Sequence, residues 1–333
     1  MSLLTVPMEN AASPNLHAQD WCQRLEEGNI LFFPQTPVPL TEEARAFLLG
    51  LGHSHRSFHK NLAYKPLQDR IAGADLQSAD PNAARQLQHI LRDYSQRVLQ
   101  FLTRFLAPYQ ARWQIDYASY RPLQEKNRAL PLHKRNDLLH TDAFPTRPTQ
   151  GARILRFFHN IHPEESREWI VGEPFRALLP HFAPQEIGLP SPEAAWQFWG
   201  RTALGKLGLN SLLPGLRRSP YDRFMLRFHN FLKENSAYQN SGWRESVSLP
   251  PGSSWMVYTD MVPHAVLSGQ CALEQTVLVA PEAMLAPEHA PLTVLESQTG
   301  QSLLRRTLTT RPWPADRART WLEVRAAENS EHG

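Results

Sequence analysis

Pro250-Pro251-Gly252-Ser253-Ser254-Trp255-Met256-Val257-Tyr258-Thr259-Asp260-Met261-Val262-Pro263-His264-Ala265-Val266 is the stretch from which the fold can be argued. A Pro-Gly turn opens a strand over 254–259, a tight loop follows, and His264 begins a second strand running to Leu267. Ala272 to Val279 adds a third. Strands this short, joined by tight turns, predict antiparallel pairing. A returning strand of this kind lies beside an earlier one, so His264 needs a partner upstream. Leu138-Leu139-His140-Thr141-Asp142-Ala143-Phe144-Pro145 supplies the candidate. In an extended segment residues i and i+2 share a face, so His140 and Asp142 can grip one object together.

Working outward, Ala152 to Ile161 is a strong strand run closed by His162-Pro163, and Trp113 to Tyr120 alternates loosely. Glu168-Trp169-Ile170-Val171 follows a short polar turn and is expected to pair antiparallel with the 152–161 run. Nearer the N-terminus, Glu27 to Pro34 has the pattern of a short buried strand. Thr41-Glu42-Glu43-Ala44 then opens a helix with a hydroxyl cap. Asp80-Pro81 starts the longest helix, in which Leu87, Ile90, Leu91, Tyr94, Val98, Phe101, Leu102 and Phe105 form one apolar stripe. From 173 to 240 the pattern turns helical, with helices expected over 192–207 and 220–233. A further helix is expected from Pro314, and a polar tail from about 327. The whole is mainly β with flanking helices: one domain over 1–333, a jelly-roll core with N-terminal helices and a helical insertion.

Bulk properties exclude several classes. Hydrophobic residues at 41% and charged residues at 20% fit an ordinary globular chain of 333 residues rather than a disordered one. A formal charge of +3 is too small to argue for nucleic acid, and suits an anionic small molecule or loose attachment to an anionic membrane surface. The two cysteines, Cys22 and Cys271, make no disulfide framework. With no secretory signal and no long apolar run, a cytoplasmic protein is expected.

Two histidines and one carboxylate on one face of an octahedral ion, with the remaining positions open, are the ligand set of non-heme Fe(II) oxygenases. His140, Asp142 and His264 can supply it. With 14 histidines in the chain, His-x-Asp also arises by chance. The competing reading is a strand-end hydrogen-bond pair with a core histidine. A basic stretch from His53 to Lys65, with His55, Arg56, His59 and Lys60, is either an anion-facing loop or a solvated one.

Several runs resemble the bacterial Kdo hydroxylase family within the Fe(II)/2-oxoglutarate-dependent dioxygenases. They are Leu139 to Pro145, Arg153 to Pro163, Tyr221 to Lys233 and Pro251 to Val279. The resemblance implies a double-stranded β-helix and Fe(II) held by His140, Asp142 and His264, with 2-oxoglutarate and O2 as cosubstrates. It further implies hydroxylation at C3 of the Kdo sugar (3-deoxy-D-manno-oct-2-ulosonic acid) on Kdo–lipid A or a precursor. The alternatives are the same chemistry on another anionic metabolite, or a jelly-roll that only binds sugar. A glycolipid partner implies peripheral contact with the inner face of the cytoplasmic membrane, and no nucleic acid.

Many members of that superfamily carry an arginine about ten residues past the distal histidine, for the far carboxylate of 2-oxoglutarate. Here Gln270 to Thr276 contains no base, so another strand must supply the cation. Arg153, Arg156 and Arg167 are the candidates, with Arg156 favoured over Arg167. Asn160, on the face of Arg156, is assigned to the cosubstrate as well. Lys134 and Arg135, just ahead of the metal motif, and His229, four residues before Lys233 on a helix, are candidates to meet the anionic substrate. The apolar run Leu204 to Leu216, with Arg217-Arg218, is a candidate lipid contact.

Overall fold

A computed structural model describes residues 1–12, 14–53, 62–72, 81–182, 185–192, 218–242 and 244–304. The helix expected over 192–207, the apolar run 204–216, residues 55–60, the helix from Pro314 and the polar tail lie outside the described residues. The first half of the chain holds β1 (Leu3–Thr5), α1 (Met8–Ala12), α2 (Ala18–Glu26), β2 (Ile30–Phe33), α3 (Glu42–His53), β3 (Leu62–Lys65), β4 (Arg70–Ala72), α4 (Pro81–Phe105), β5 (Trp113–Arg121) and β6 (Arg153–Asn160). The second half holds β7 (Arg167–Gly172), α5 (Phe175–Phe182), α6 (Pro220–Glu234), α7 (Ser236–Gln239), β8 (Arg244–Leu249), β9 (Ser254–Tyr258), β10 (His264–Ser268), β11 (Ala272–Val279) and α8 (Pro291–Thr299).

The strands form two sheets. The larger has the order β1-β2-β9-β6-β11-β5-β3-β4, and the smaller is β10-β7-β8. Apart from the parallel pair β1–β2, the pairings are antiparallel. Strand β6 is buried along nearly its whole length because both of its faces are covered. On its rear face Phe157 meets Phe101 of α4 and Phe33 of β2, with ring centroids 6.0 and 6.2 Å apart. On its front face Phe158 stacks on Trp255 of β9 at 5.1 Å, and Trp169 of the smaller sheet packs edge-on against both rings. The apolar stripe predicted for α4 is the buried one, from Leu87 to Phe105. Thr41 caps α3 by accepting from the Ala44 amide at 3.2 Å.

One expectation is corrected. The 168–171 strand does not pair with 152–161. β7 hydrogen-bonds to β8 and β10 in the opposite sheet. Phe158 and Trp169 meet across the space between the sheets, as stacked layers require, not side by side in one ladder. The turn at 161–166 therefore carries the chain from one sheet to the other. So does the turn between β9 and β10, which ends at His264.

Candidate metal centre and anion cavity

His140 and His264 form an isolated antiparallel bridge, each amide donating to the other's carbonyl at 3.2 and 3.0 Å. Two residues on, the Asp142 amide donates to Thr259 O at 2.8 Å, at the far end of the β9–β10 turn. The other edge of the segment is held by Gln239 of α7. Its Oε1 accepts from the Leu139 amide at 2.9 Å, and its Nε2 donates to the carbonyls of Leu139 and Leu232. The 138–142 segment is thus clipped on both sides, which fixes where its side chains project.

Those side chains converge. One ligand atom from each of His140, Asp142 and His264 falls within 4.8 Å of the other two. His140 Nε2 is 3.9 Å from Asp142 Oδ1, and His264 Nε2 is 4.0 Å from Asp142 Oδ2. Nδ1 of His140 lies 2.7 Å from Leu138 O, and Nδ1 of His264 lies 3.0 Å from Val262 O. A carbonyl can only accept, so Nδ1 carries the proton in both rings and Nε2 presents a lone pair toward the carboxylate. Trp169 stacks on His264 at 5.2 Å and His229 packs edge-on against His140 at 4.9 Å, which holds both rings in place.

The electrostatics suit a cation. Burial drives the pKa of both histidines down, further for His140 because His264 and Lys233 lie nearby, so both rings are neutral. Burial alone would raise the carboxyl of Asp142, but Arg156 and the two histidines outweigh it and hold the group well below the usual carboxylate range. Arg156 Nε lies 3.1 Å from Asp142 Oδ2. The contact is ionic without hydrogen-bond alignment, and both atoms are buried without any hydrogen-bond partner. A buried carboxylate oxygen left this way is suited to a metal ion.

Beside this set lies a small cavity of about 30 Å³, lined in part by Arg121, Asn136, Arg156, Phe158, Arg167 and Trp169. Three arginines from three strands meet there. Glu274 of β11, ten residues past His264, stands where the sequence lacks the expected arginine. Its carboxylate accepts from Arg121 at 2.8 and 2.5 Å and from Arg156 at 2.7 Å. Arg167 is less well neutralised. Its Nη1 donates to Gly269 O at 3.1 Å, its nearest carboxylate, Glu125, is 3.7 Å away, and its buried Nε has no partner. Burial and then the like charge of Arg121 pull its guanidinium down to about 10.

The structure brings together His140, Asp142, His264, Arg156 and Arg167, with His229 against the first of them. It does not bring in Asn160, whose amide nitrogen donates to Glu165 O and Leu249 O and whose oxygen accepts from the His162 amide. The assignment of Asn160 to a cosubstrate is corrected: at the strand end, its side chain holds a turn. Arg153, three residues from Arg156, projects from the opposite face and is ion-paired with Asp260 at 2.7 Å. Lys134 is exposed, and Arg135 is engaged by Asp137 at 3.0 and 2.6 Å. His229 Nδ1 is bonded to Thr141 O at 2.7 Å. Arg121, Asn136 and Trp169 were not singled out from sequence. Each is an ordinary strand or loop residue whose position at the cavity depends on long-range register.

Two buried histidines and a largely buried aspartate with free ligand atoms, joined to a cavity of three arginines, are the site of a protein suited to binding a metal ion and an anion together. The comparisons with known proteins are specific. The chain belongs to the 3-deoxy-D-manno-oct-2-ulosonic acid (Kdo) hydroxylase family, whose model matches residues 8–302. The apo structure of the Kdo hydroxylase KdoO, a non-heme Fe(II) alpha-ketoglutarate-dependent dioxygenase, is 31% identical with a TM-score of 0.74, covering 93% of this chain and 98% of that one. Its complex with alpha-ketoglutarate (2-oxoglutarate) and Fe(III) gives 31% identity and 0.73, covering 93% and 99%. The complex with succinate and Fe(III) gives 30% and 0.74, with the same coverage. No curated protein sequence matches significantly.

Proposed function

We propose that this chain is an Fe(II)- and 2-oxoglutarate-dependent dioxygenase that hydroxylates the Kdo sugar at C3 on Kdo–lipid A or a precursor. The observation that carries this reading is the convergence of two histidine Nε2 lone pairs and an unbonded Asp142 oxygen beside a three-arginine cavity, in a chain of this family. His140, Asp142 and His264 would hold the iron, leaving positions for 2-oxoglutarate and O2. When bound, the iron supplies the oxidant that side chains cannot, at the cost of converting 2-oxoglutarate to succinate and CO2. The chain's own residues have the remaining tasks. The Nδ1–H bonds to Leu138 and Val262 keep both imidazoles in the ligand tautomer. Phe158, Trp169 and Val266 keep water from the cavity.

Arg167, rather than Arg156, is our choice for the far carboxylate of 2-oxoglutarate. Its charge is the less compensated, with one carbonyl bonded and its nearest carboxylate 3.7 Å away, whereas Arg156 already serves Asp142 and Glu274. We take the two sheets as a double-stranded β-helix and the chain as one domain, a reading supported by one buried cluster that spans both sheets and the helices. Among the described residues no helix is long and apolar enough to cross a membrane, and access to a glycolipid is proposed to be peripheral.

Anaerobic addition of Fe(II) and 2-oxoglutarate should give a visible charge-transfer band that His264→Ala abolishes. With ascorbate and O2, Kdo–lipid A should gain one oxygen by mass spectrometry. Succinate release without an oxygenated glycolipid would move the reading to another anionic metabolite. Absence of the band would leave a metal-free sugar-binding module.

A further inference from the structure

Between Gln275 and Val277 of β11 the register with β5 slips, so that Asp116 and Tyr117 together oppose one residue. A bulge of this kind re-aims side chains. Here both consecutive residues contact Arg147: Asp116 as an ion pair, Tyr117 with its ring centroid 4.0 Å from the guanidinium carbon. On its other side Arg147 is 4.4 Å from the centroid of Phe144, and Phe144 is in turn 5.8 Å from the guanidinium of Arg156, which touches Asp142. At the outer end Lys65 Nζ lies 5.1 Å from the Tyr117 centroid. Cations and rings therefore alternate as Lys65, Tyr117, Arg147, Phe144 and Arg156. The Arg147 side chain is 36% exposed and that of Arg156 only 11%.

Aromatic faces hold a guanidinium flat without neutralising it, which leaves its N–H edge available. Among the described residues Lys65 has no carboxylate partner, and Arg147 has Asp116 alone. We propose that Lys65 and Arg147, set by Tyr117 and Phe144, form a binding subsite for the carboxylate or phosphate of an acidic carbohydrate, whose reacting sugar then lies inward beside Asp142. Naming that carbohydrate as the hydroxylated substrate rests on the function proposed above. The subsite also gives a role to Lys65, the last residue of the basic 53–65 stretch.

The test uses the full chain loaded with Fe(II). Lys65→Gln and Arg147→Gln should each raise KM for Kdo–lipid A about tenfold, the size of one charge-assisted hydrogen bond. The 2-oxoglutarate concentration that half-saturates the anaerobic band should stay within about twofold. Unchanged KM in both variants overturns the subsite. So does an equal weakening of 2-oxoglutarate, which would make the stack part of the cosubstrate cavity. Calorimetry with free Kdo and with inorganic phosphate separates the two anions, since the one lost in both variants is the one recognised. If the wild type binds Kdo or phosphate and both variants lose that binding, but the glycolipid is not oxygenated, the subsite stands and the proposed reaction falls. If it binds neither, the subsite falls. Should Arg147→Gln fail to fold, Lys65→Gln, at the outer end of the stack, decides alone.

Discussion

Arg167 is buried with its guanidinium facing one carbonyl and a carboxylate 3.7 Å away. Such a group keeps its charge only if something anionic completes its shell, because a buried and unpaired guanidinium is costly. Replacing it with methionine should weaken 2-oxoglutarate binding more than tenfold in the anaerobic titration, as expected for loss of a charge-assisted pair. Arg156→Met should weaken it less, and that order would reverse if Arg156 were the clamp. Gly269 gives an independent handle on the same side chain. Its φ is +114°, and a Cβ at this position would lie 2.8 Å from Arg167 Cγ, which leaves no room for alanine. Gly269→Ala should therefore displace Arg167, and weaken 2-oxoglutarate binding while leaving Fe(II) binding intact.

At the scale of elements, α7 is short but consequential. Gln239 replaces a missing strand neighbour along Leu139, so Gln239→Leu should destabilise the fold by about 1–3 kcal/mol, read by denaturant unfolding. It should also loosen His140 and weaken Fe(II) binding. Which elements were legible follows from where their signals lie. The α4 stripe, the Thr41 cap and the strands 153–160, 254–258 and 272–279 rest on local periodicity and turn residues, which one chain segment displays by itself. The pairing of β7 does not, because an alternating strand fits either sheet and only packing against Trp255 and Phe158 decides. The candidate metal set, brought together in the structure, was legible through His-x-Asp and the turn before His264. Arg121 was not, since its place at the cavity depends on the β5–β11 register and on Glu274. Asn160 was misassigned because sharing a strand face with Arg156 does not carry it past the strand end.

For the whole molecule, the rear face of the large sheet contributes to acid stability. His159, buried between β6 and the helices, has its pKa brought down to about 3, first by burial and then by Arg45 and Arg97. Unfolded, it titrates near 6.5, so between pH 6.5 and about 3 the unfolded chain binds the extra proton. The contribution to stability is complete above that window and is lost as pH falls through it. His159→Phe, which does not titrate, should lose less stability than the wild type between pH 7 and pH 4 in denaturant titrations. An equal loss in both would show that other groups govern acid unfolding. That histidine could be placed on a strand from sequence, but its burial depends on α3 and α4 folding over the sheet.

The reciprocal backbone bridge between His140 and His264 also bears on the order of events when the protein is made. It closes a loop of well over a hundred residues, the kind of contact that forms late. A growing chain cannot assemble the candidate iron site until both sheets have docked, so loading would follow folding rather than nucleate it. Conversely, peptide hydrogen bonds rather than the ion hold the rung closed. Stripping the metal with a chelator should leave circular dichroism unchanged and lower Tm only by ligand mass action, restored when Fe(II) is returned. Collapse of the fold on chelation would mean that the ion, not the bridge, fastens the two sheets.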